Sequence, residues 1–215
     1  MNKDETTEKQ PYINPLFSKP LYVKQLNIDT HKIMDLLKKY KFYYDKEKGP
    51  NFSQATNSLY VLEDKKLLFL KEQLLKEIKE FAKGILAYKN DFEITTSWFT
   101  KTATGQGSSF HNHNNCMFSA VLYLQTKEDC GNLNLQNYDG GRYSLEVEGY
   151  NLFNTKTWNI TPEDGMLVMF PAEVFHNIQA NNSDITRYSL AFNVAPTGLI
   201  GKKTTDSHMK IKVVK

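Results

Sequence analysis

The chain has 215 residues, 40 % hydrophobic and 24 % charged, which is enough for one good-sized globular domain with its own core. A net charge of +3 is too weak to argue for nucleic acid or a membrane surface as a partner, and no apolar run approaches the roughly 18 residues of a spanning helix. Two cysteines, Cys116 and Cys130, are not a disulfide framework and form no C-x-x-C; they read as reduced core residues, with an occasional disulfide or a metal thiolate as alternatives.

Residues 1–11 are polar and charged without periodicity, which predicts a disordered tail. No apolar leader is visible there, so the expected location is cytoplasmic. Residues 12–200 are expected to form a single domain whose helical part is 28–90. In PLFSKPLYVKQLN (15–27) the apolar residues are spaced as in a strand, and Pro20 confines it to an edge or an irregular one. Asp29 or Thr30 can cap a helix through about Tyr40, with Ile33, Met34, Leu36 and Leu37 as its stripe. Residues 46–58 read as loop. A second helix is predicted from Asp64 to Ala87, where Leu67, Leu68, Leu70, Leu74, Leu75, Ile78, Phe81 and Ile85 recur near helical spacing.

From Glu93 onward short β-rich runs alternate with Gly, Asn, Asp and Pro. The runs ITTSWFTKTA, MFSAVLYLQT, GNLNLQNY, YSLEVEGY, KTWNIT, GMLVMF, VFHNIQA and ITRYSLAFNVA all predict strands. No helical run separates them, which argues against a parallel α/β sheet. Strands joined by turns fit a jelly roll or a barrel, and an aromatic content of 13 % suits such a wide β core. The class is therefore mainly β with flanking helices, the two N-terminal helices packing on one sheet. Residues 201–215 read as a basic C-terminal extension with a short apolar end.

Chemistry concentrates in the second half. His111 and His113 stand one residue apart in SSFHNHNN; on a strand they share one face and can grip one ion. His176 follows in FPAEVFHNI, after a strand and a turn at Pro171. Each histidine alone is an ordinary surface or core residue, but three are a plausible set of neutral imidazole ligands. In TRYSLAFN, Arg187, Ser189 and Ala191 share one strand face, and Tyr188, Leu190 and Phe192 the other. If the Arg187 face points inward, a buried guanidinium needs an anion, such as a small-molecule carboxylate held bidentately; the alternative is an exposed arginine on an edge strand. Tyr138, Tyr143, Tyr150 and Phe153 within 135–158 form either a mobile wall or ordinary strand aromatics. Gly105 and Gly107 lack the helix and lysine of a phosphate loop. His31 and His208 lie outside the pattern.

Taken in order, HNH (111–113), SAVLYL (119–124), GMLVMFP (165–171), His176 and RYSLAFN (187–193) resemble the iron(II)- and 2-oxoglutarate-dependent oxygenase superfamily, in its branch with an H-x-H motif. LFSKPLYVKQL resembles that branch's opening strand. The resemblance implies a double-stranded β-helix, with His111, His113 and His176 as the catalytic metal-binding set for iron(II). Arg187 would pair with the distal carboxylate of 2-oxoglutarate, assisted by Ser189 and Tyr123. His113 stands where the superfamily's usual motif carries an aspartate, which removes one negative charge from the metal site. Asn193 matches the last residue of the motif, with no physical role assigned by the sequence. The implied reaction uses dioxygen to decarboxylate 2-oxoglutarate to succinate and carbon dioxide while hydroxylating a C–H bond of a peptidyl, including prolyl, or small-molecule substrate. The oligomeric state stays open, a homodimer included. Two other readings stand beside it: a cupin-like three-histidine metal enzyme without 2-oxoglutarate, and a noncatalytic β-sandwich binding module.

Overall fold

The computed structural model describes residues 12–44, 49–137, 145–204 and 206–213. The expected tail over 1–11, and Tyr138 and Tyr143, lie outside those residues. Helix α1 (Thr30–Leu37) begins where the sequence predicts, because the Asp29 carboxylate accepts a hydrogen bond of 3.0 Å from the Lys32 amide. Its buried residues, Ile33 and Leu37, are one turn apart. The second helical segment runs through a 3₁₀ turn (Lys65–Leu67), helix α2 (Leu68–Lys79) and a π turn (Glu80–Ile85). Leu67, Leu70, Leu74, Ile78 and Phe81 are buried along one side, with Leu75 partly buried against them. Leu68 and Ile85, expected in the same stripe, are exposed, because they stand at the first position of α2 and the last of the π turn, off the buried side.

The strands are β1 (Tyr22–Gln25), β2 (Phe42–Tyr43), β3 (Gln54–Thr56), β4 (Asp91–Thr102), β5 (Phe118–Gln125), β6 (Leu133–Gln136), β7 (Thr157–Ile160), β8 (Met166–Pro171), β9 (Phe175–Ile178), β10 (Arg187–Ile200) and β11 (Met209–Ile211). The larger sheet has the order β1-β8-β5-β10-β4-β3-β2, with β11 pairing to β10; the smaller has the order β7-β6-β9. All of these pairings are antiparallel. Helices cover one face of the larger sheet: Phe81 lies 5.0 Å from Phe118 and 5.2 Å from Tyr22, ring to ring. Leu133 and Leu135 of β6 pack with Tyr123, Val168 and Phe170 on the opposite face. The result is a double-stranded β-helix with two helices on one sheet.

Several local expectations differ from the structure. Within the expected loop 46–58, Gln54–Thr56 forms β3, whose pairing to Thr100 and Lys101 depends on partners distant in sequence. YSLEVEGY yields no strand among its described residues, 145–150. Leu145 and Tyr150 are each 80 % exposed there, so alternating apolar residues found no sheet face to bury against. Phe153, from the same stretch, is also exposed. The C-terminal extension contributes β11, which pairs Ile211, Lys210 and Met209 with Gly198, Leu199 and Ile200. Cys130 is buried as expected, but Cys116 is only half-buried; both thiols are free.

Candidate metal centre

The pair His111 and His113 does not sit on a regular strand. It lies on an irregular segment between β4 and β5 that makes only isolated strand-like bridges, Gly107 to Phe52 and His111 to His176. Backbone hydrogen bonds dock that segment along β9. The Ser108 amide donates to the Ile178 carbonyl, the His111 and His176 amides each donate to the other's carbonyl at 2.9 Å, and the His113 amide donates to the Ala172 carbonyl. The close approach explains Gly107, since a Cβ there would stand 2.7 Å from the Ile178 carbonyl oxygen. Gln106 secures the preceding turn: its side-chain oxygen accepts from the Ala103 amide and its amide group donates to the Pro50 carbonyl. Docking thus replaces the strand geometry that the H-x-H spacing suggests.

The three imidazoles converge. Each offers one ring nitrogen, and these nitrogens all lie within 4.8 Å of one another. Ring centroids are 4.4 Å apart for His111 and His176 and 5.2 Å for each of the other two pairs. His111 is exposed, His113 half-buried and His176 buried, so the cluster sits at an opening. Phe170 meets the His176 ring edge-on and Trp98 stacks on His113. Burial, reinforced by His111, pushes the His176 pKa down to about 3; burial also lowers that of His113. Both effects favour the neutral imidazole, the form that binds metal.

Hydrogen bonds also select the tautomer. Nδ1 of His111 donates to the Ser109 carbonyl at 2.9 Å, and Nδ1 of His176 to the Val174 carbonyl at 3.0 Å. A carbonyl only accepts, so the ring proton sits on Nδ1 and the Nε2 lone pair is left for a metal. His113 Nδ1 finds its acceptor in the side chain of Asn193, at 2.6 Å. Sequence reading missed that contact. Its signal was present in the motif-ending asparagine, but the two residues are 80 positions apart and only the fold joins them.

Below the histidines the inner face of the larger sheet is polar. Arg187, Ser189, Ala191 and Asn193 follow one another on that face of β10, and β5 contributes Tyr123 opposite Ser189 and Ser119 opposite Asn193. Ser189 and Ala191 are small, so little side-chain bulk stands between Asn193 and Arg187. Arg187 is fully buried. It donates to the carbonyls of Cys130 and Gly131 and to the Thr102 hydroxyl, while its Nε has no partner. The Tyr123 hydroxyl is likewise buried and unpartnered, its ring 5.9 Å from the guanidinium carbon. Burial lowers the Arg187 pKa and raises that of Tyr123 to about 12. Two orphaned donors beside a buried cation form a site that suits a carboxylate.

Residues 96–193, a little under half of the chain, match the family model described as "Putative 2OG-Fe(II) oxygenase". No curated protein matches the sequence. Among solved structures, a Pseudomonas putida prolyl-4-hydroxylase is similar over 84 % of this chain and 95 % of its own, with TM-score 0.58 and 17 % identity. HygX from Streptomyces hygroscopicus, solved with nickel, 2-oxoglutarate and hygromycin B, is similar over 83 % of this chain and 84 % of its own, with TM-score 0.61 and 10 % identity. The viral collagen prolyl hydroxylase of Paramecium Bursaria Chlorella virus-1, a 2-oxoglutarate complex, covers 81 % of this chain and 94 % of its own, with TM-score 0.53 and 11 % identity. At such identities the structural likeness speaks for the fold. Family match, fold and the H-x-H cluster agree: this chain resembles the iron(II)- and 2-oxoglutarate-dependent oxygenases.

Proposed function

We propose that the protein is an iron(II)- and 2-oxoglutarate-dependent dioxygenase that hydroxylates a C–H bond in a peptidyl, including prolyl, or small-molecule substrate. The observation that carries this reading is the pairing of two features in one container: three imidazoles converging at its mouth, and unpartnered donors on Arg187 and Tyr123 in its interior. His111, His113 and His176 hold the iron. Arg187 and Tyr123 hold the distal carboxylate of the co-substrate, with Ser189 adding a hydroxyl. When bound, iron(II) and 2-oxoglutarate supply the oxidising chemistry, in which dioxygen is consumed, succinate and carbon dioxide leave, and one oxygen atom enters the substrate.

The chain's own residues do the positioning. The Ser109 and Val174 carbonyls keep His111 and His176 in the ligand-competent tautomer. Phe170 and Trp98 press against the rings and limit water on the inner side. A cavity of about 190 Å³ opens beside His111, lined by Tyr43, Phe52, Ser53, Ala55 and residues 107–109. Among the described residues its lining has aromatic rings, hydroxyls and no Asp, Glu, Lys or Arg, which suits an uncharged group of the substrate. The cupin-like alternative leaves the Arg187 Nε and the Tyr123 hydroxyl without an acceptor, and no observation favours it.

Anaerobic titration with iron(II) and then 2-oxoglutarate tests the proposal. A weak visible charge-transfer band is expected from the chelate. With saturating metal and co-substrate, absence of the band together with absence of succinate formation in air sinks the reading.

A further inference from the structure

We propose that Asn193 is a positioning residue of the metal centre: its side-chain oxygen holds His113 in the one tautomer in which that histidine can be a ligand. The inference rests on the metal-binding reading above and deepens it. His113 occupies the place where the superfamily's usual motif has an aspartate. An aspartate needs no tautomer to be chosen, but a histidine does.

His111 and His176 are each set by a backbone carbonyl two residues earlier, a local and sequence-independent acceptor. His113 depends on side chains from three strands. The Asn193 oxygen of β10 accepts from His113 Nδ1 at 2.6 Å and from the Ser119 hydroxyl of β5 at 3.1 Å; the Ser119 oxygen is itself 3.0 Å from Nδ1, and by giving its proton to Asn193 it leaves the ring proton on Nδ1. The Asn193 amide nitrogen donates to the Thr96 hydroxyl of β4 at 3.0 Å, so both ends of the amide are satisfied. A β-bulge between Asn193 and Val194, opposite Thr96 and Ile94, falls beside this pair; bulges of this kind re-aim side chains next to functional sites. Turning the amide around would place its N–H₂ against Nδ1. The ring proton would then move to Nε2 and close that nitrogen to a metal.

The amide also sets the charge. A carboxylate behind a ligating histidine raises its basicity and tightens metal binding. Asn193 supplies the orientation without the charge, and among the described residues no carboxylate joins the three-histidine cluster.

The test is cobalt(II) binding to the full chain at pH 7.5, by competition with a chromophoric chelator, alongside ¹⁵N NMR of the His113 ring in the metal-free protein. Asn193→Leu keeps side-chain bulk but removes the amide acceptor and frees the Ser119 hydroxyl to donate to Nδ1; it should weaken cobalt(II) binding about 10- to 100-fold and shift His113 away from the Nδ1–H tautomer. Asn193→Asp should restore affinity to the wild-type level or above, and Thr96→Val should cost several-fold, about one hydrogen bond's worth. If Asn193→Leu does not fold, the Asn193→Asp and Thr96→Val affinities and the ring spectra decide. The inference is overturned if Asn193→Leu binds within twofold of wild type, or if Thr96→Val and Asn193→Asp leave both affinity and tautomer as weak or as mixed as in an unsupported ring. A wild-type chain that binds no cobalt(II) instead brings down the metal reading itself.

Discussion

Strand β10 carries two proteins' worth of physics on its two faces. Leu190, Phe192 and Val194 point toward the helices and are fully buried in an apolar cluster with Phe99, Leu122 and Leu74. Their neighbours Arg187, Ser189, Ala191 and Asn193 point the other way, toward imidazoles and unpartnered donors. The helix face gains free energy from burial, of the order of 2 kcal/mol per large side chain. The inner face forfeits it, since a buried guanidinium and orphaned hydroxyl cost stability until an acceptor arrives. The lesson is that one face holds the backbone rigid so that the other can keep polar groups in place for a ligand.

Substitutions on either face should separate these roles. The largest effect is expected for His176→Ala, which removes the buried member of the proposed ligand set: the iron–2-oxoglutarate absorption band and succinate production should both vanish, with the fold retained by circular dichroism. Retained succinate production would dissociate His176 from the centre. On the helix face, Phe192→Ala should lower unfolding free energy in urea by about 3–5 kcal/mol while leaving the 2-oxoglutarate requirement of the folded fraction unchanged. An altered co-substrate requirement there would blur the division of faces. Arg187→Ala is expected to raise the 2-oxoglutarate KM about 100-fold, in keeping with about 3 kcal/mol for truncating a buried charged partner. Tyr123→Phe should cost about tenfold or less; equal effects at the two positions would argue that neither contacts the carboxylate.

A separate effect concerns acid. His176 titrates at about 3 in the folded chain against 6.5 ordinarily. Above about pH 6.5 it is neutral in both states and contributes nothing to the pH dependence. As pH falls below that value, only the unfolded chain takes up the proton, so the metal-free fold should lose about 1.4 kcal/mol per pH unit from this residue down to about pH 3. His176→Gln removes that titration, and urea unfolding of chelator-treated protein between pH 7 and 5 should show a shallower slope than wild type. Identical slopes would mean that His176 is not held neutral by burial.

Periodicity alone made the helices legible. The Asp29 cap, the stripe from Leu67 to Phe81 and the alternation in TRYSLAFN all rest on contacts between near neighbours in sequence. The two-faced character of β10 was readable for the same reason. What stayed hidden depends on which strands meet. Nothing local in Gln54–Thr56 marks it as a strand; it needs β4 beside it. YSLEVEGY has strand composition, yet its described residues find no partner strand. The His pair reads as strand spacing but is held by irregular docking onto β9.

By itself the sequence determined the helices, most strands and the roster of histidines, because each depends on spacing within a few residues. Tertiary structure alone decided that three imidazoles converge, that Arg187 is enclosed rather than exposed, and that Asn193 reaches His113. Those outcomes require side chains up to 85 positions apart to meet, and such meetings are set by sheet order and register, which no short window of sequence contains.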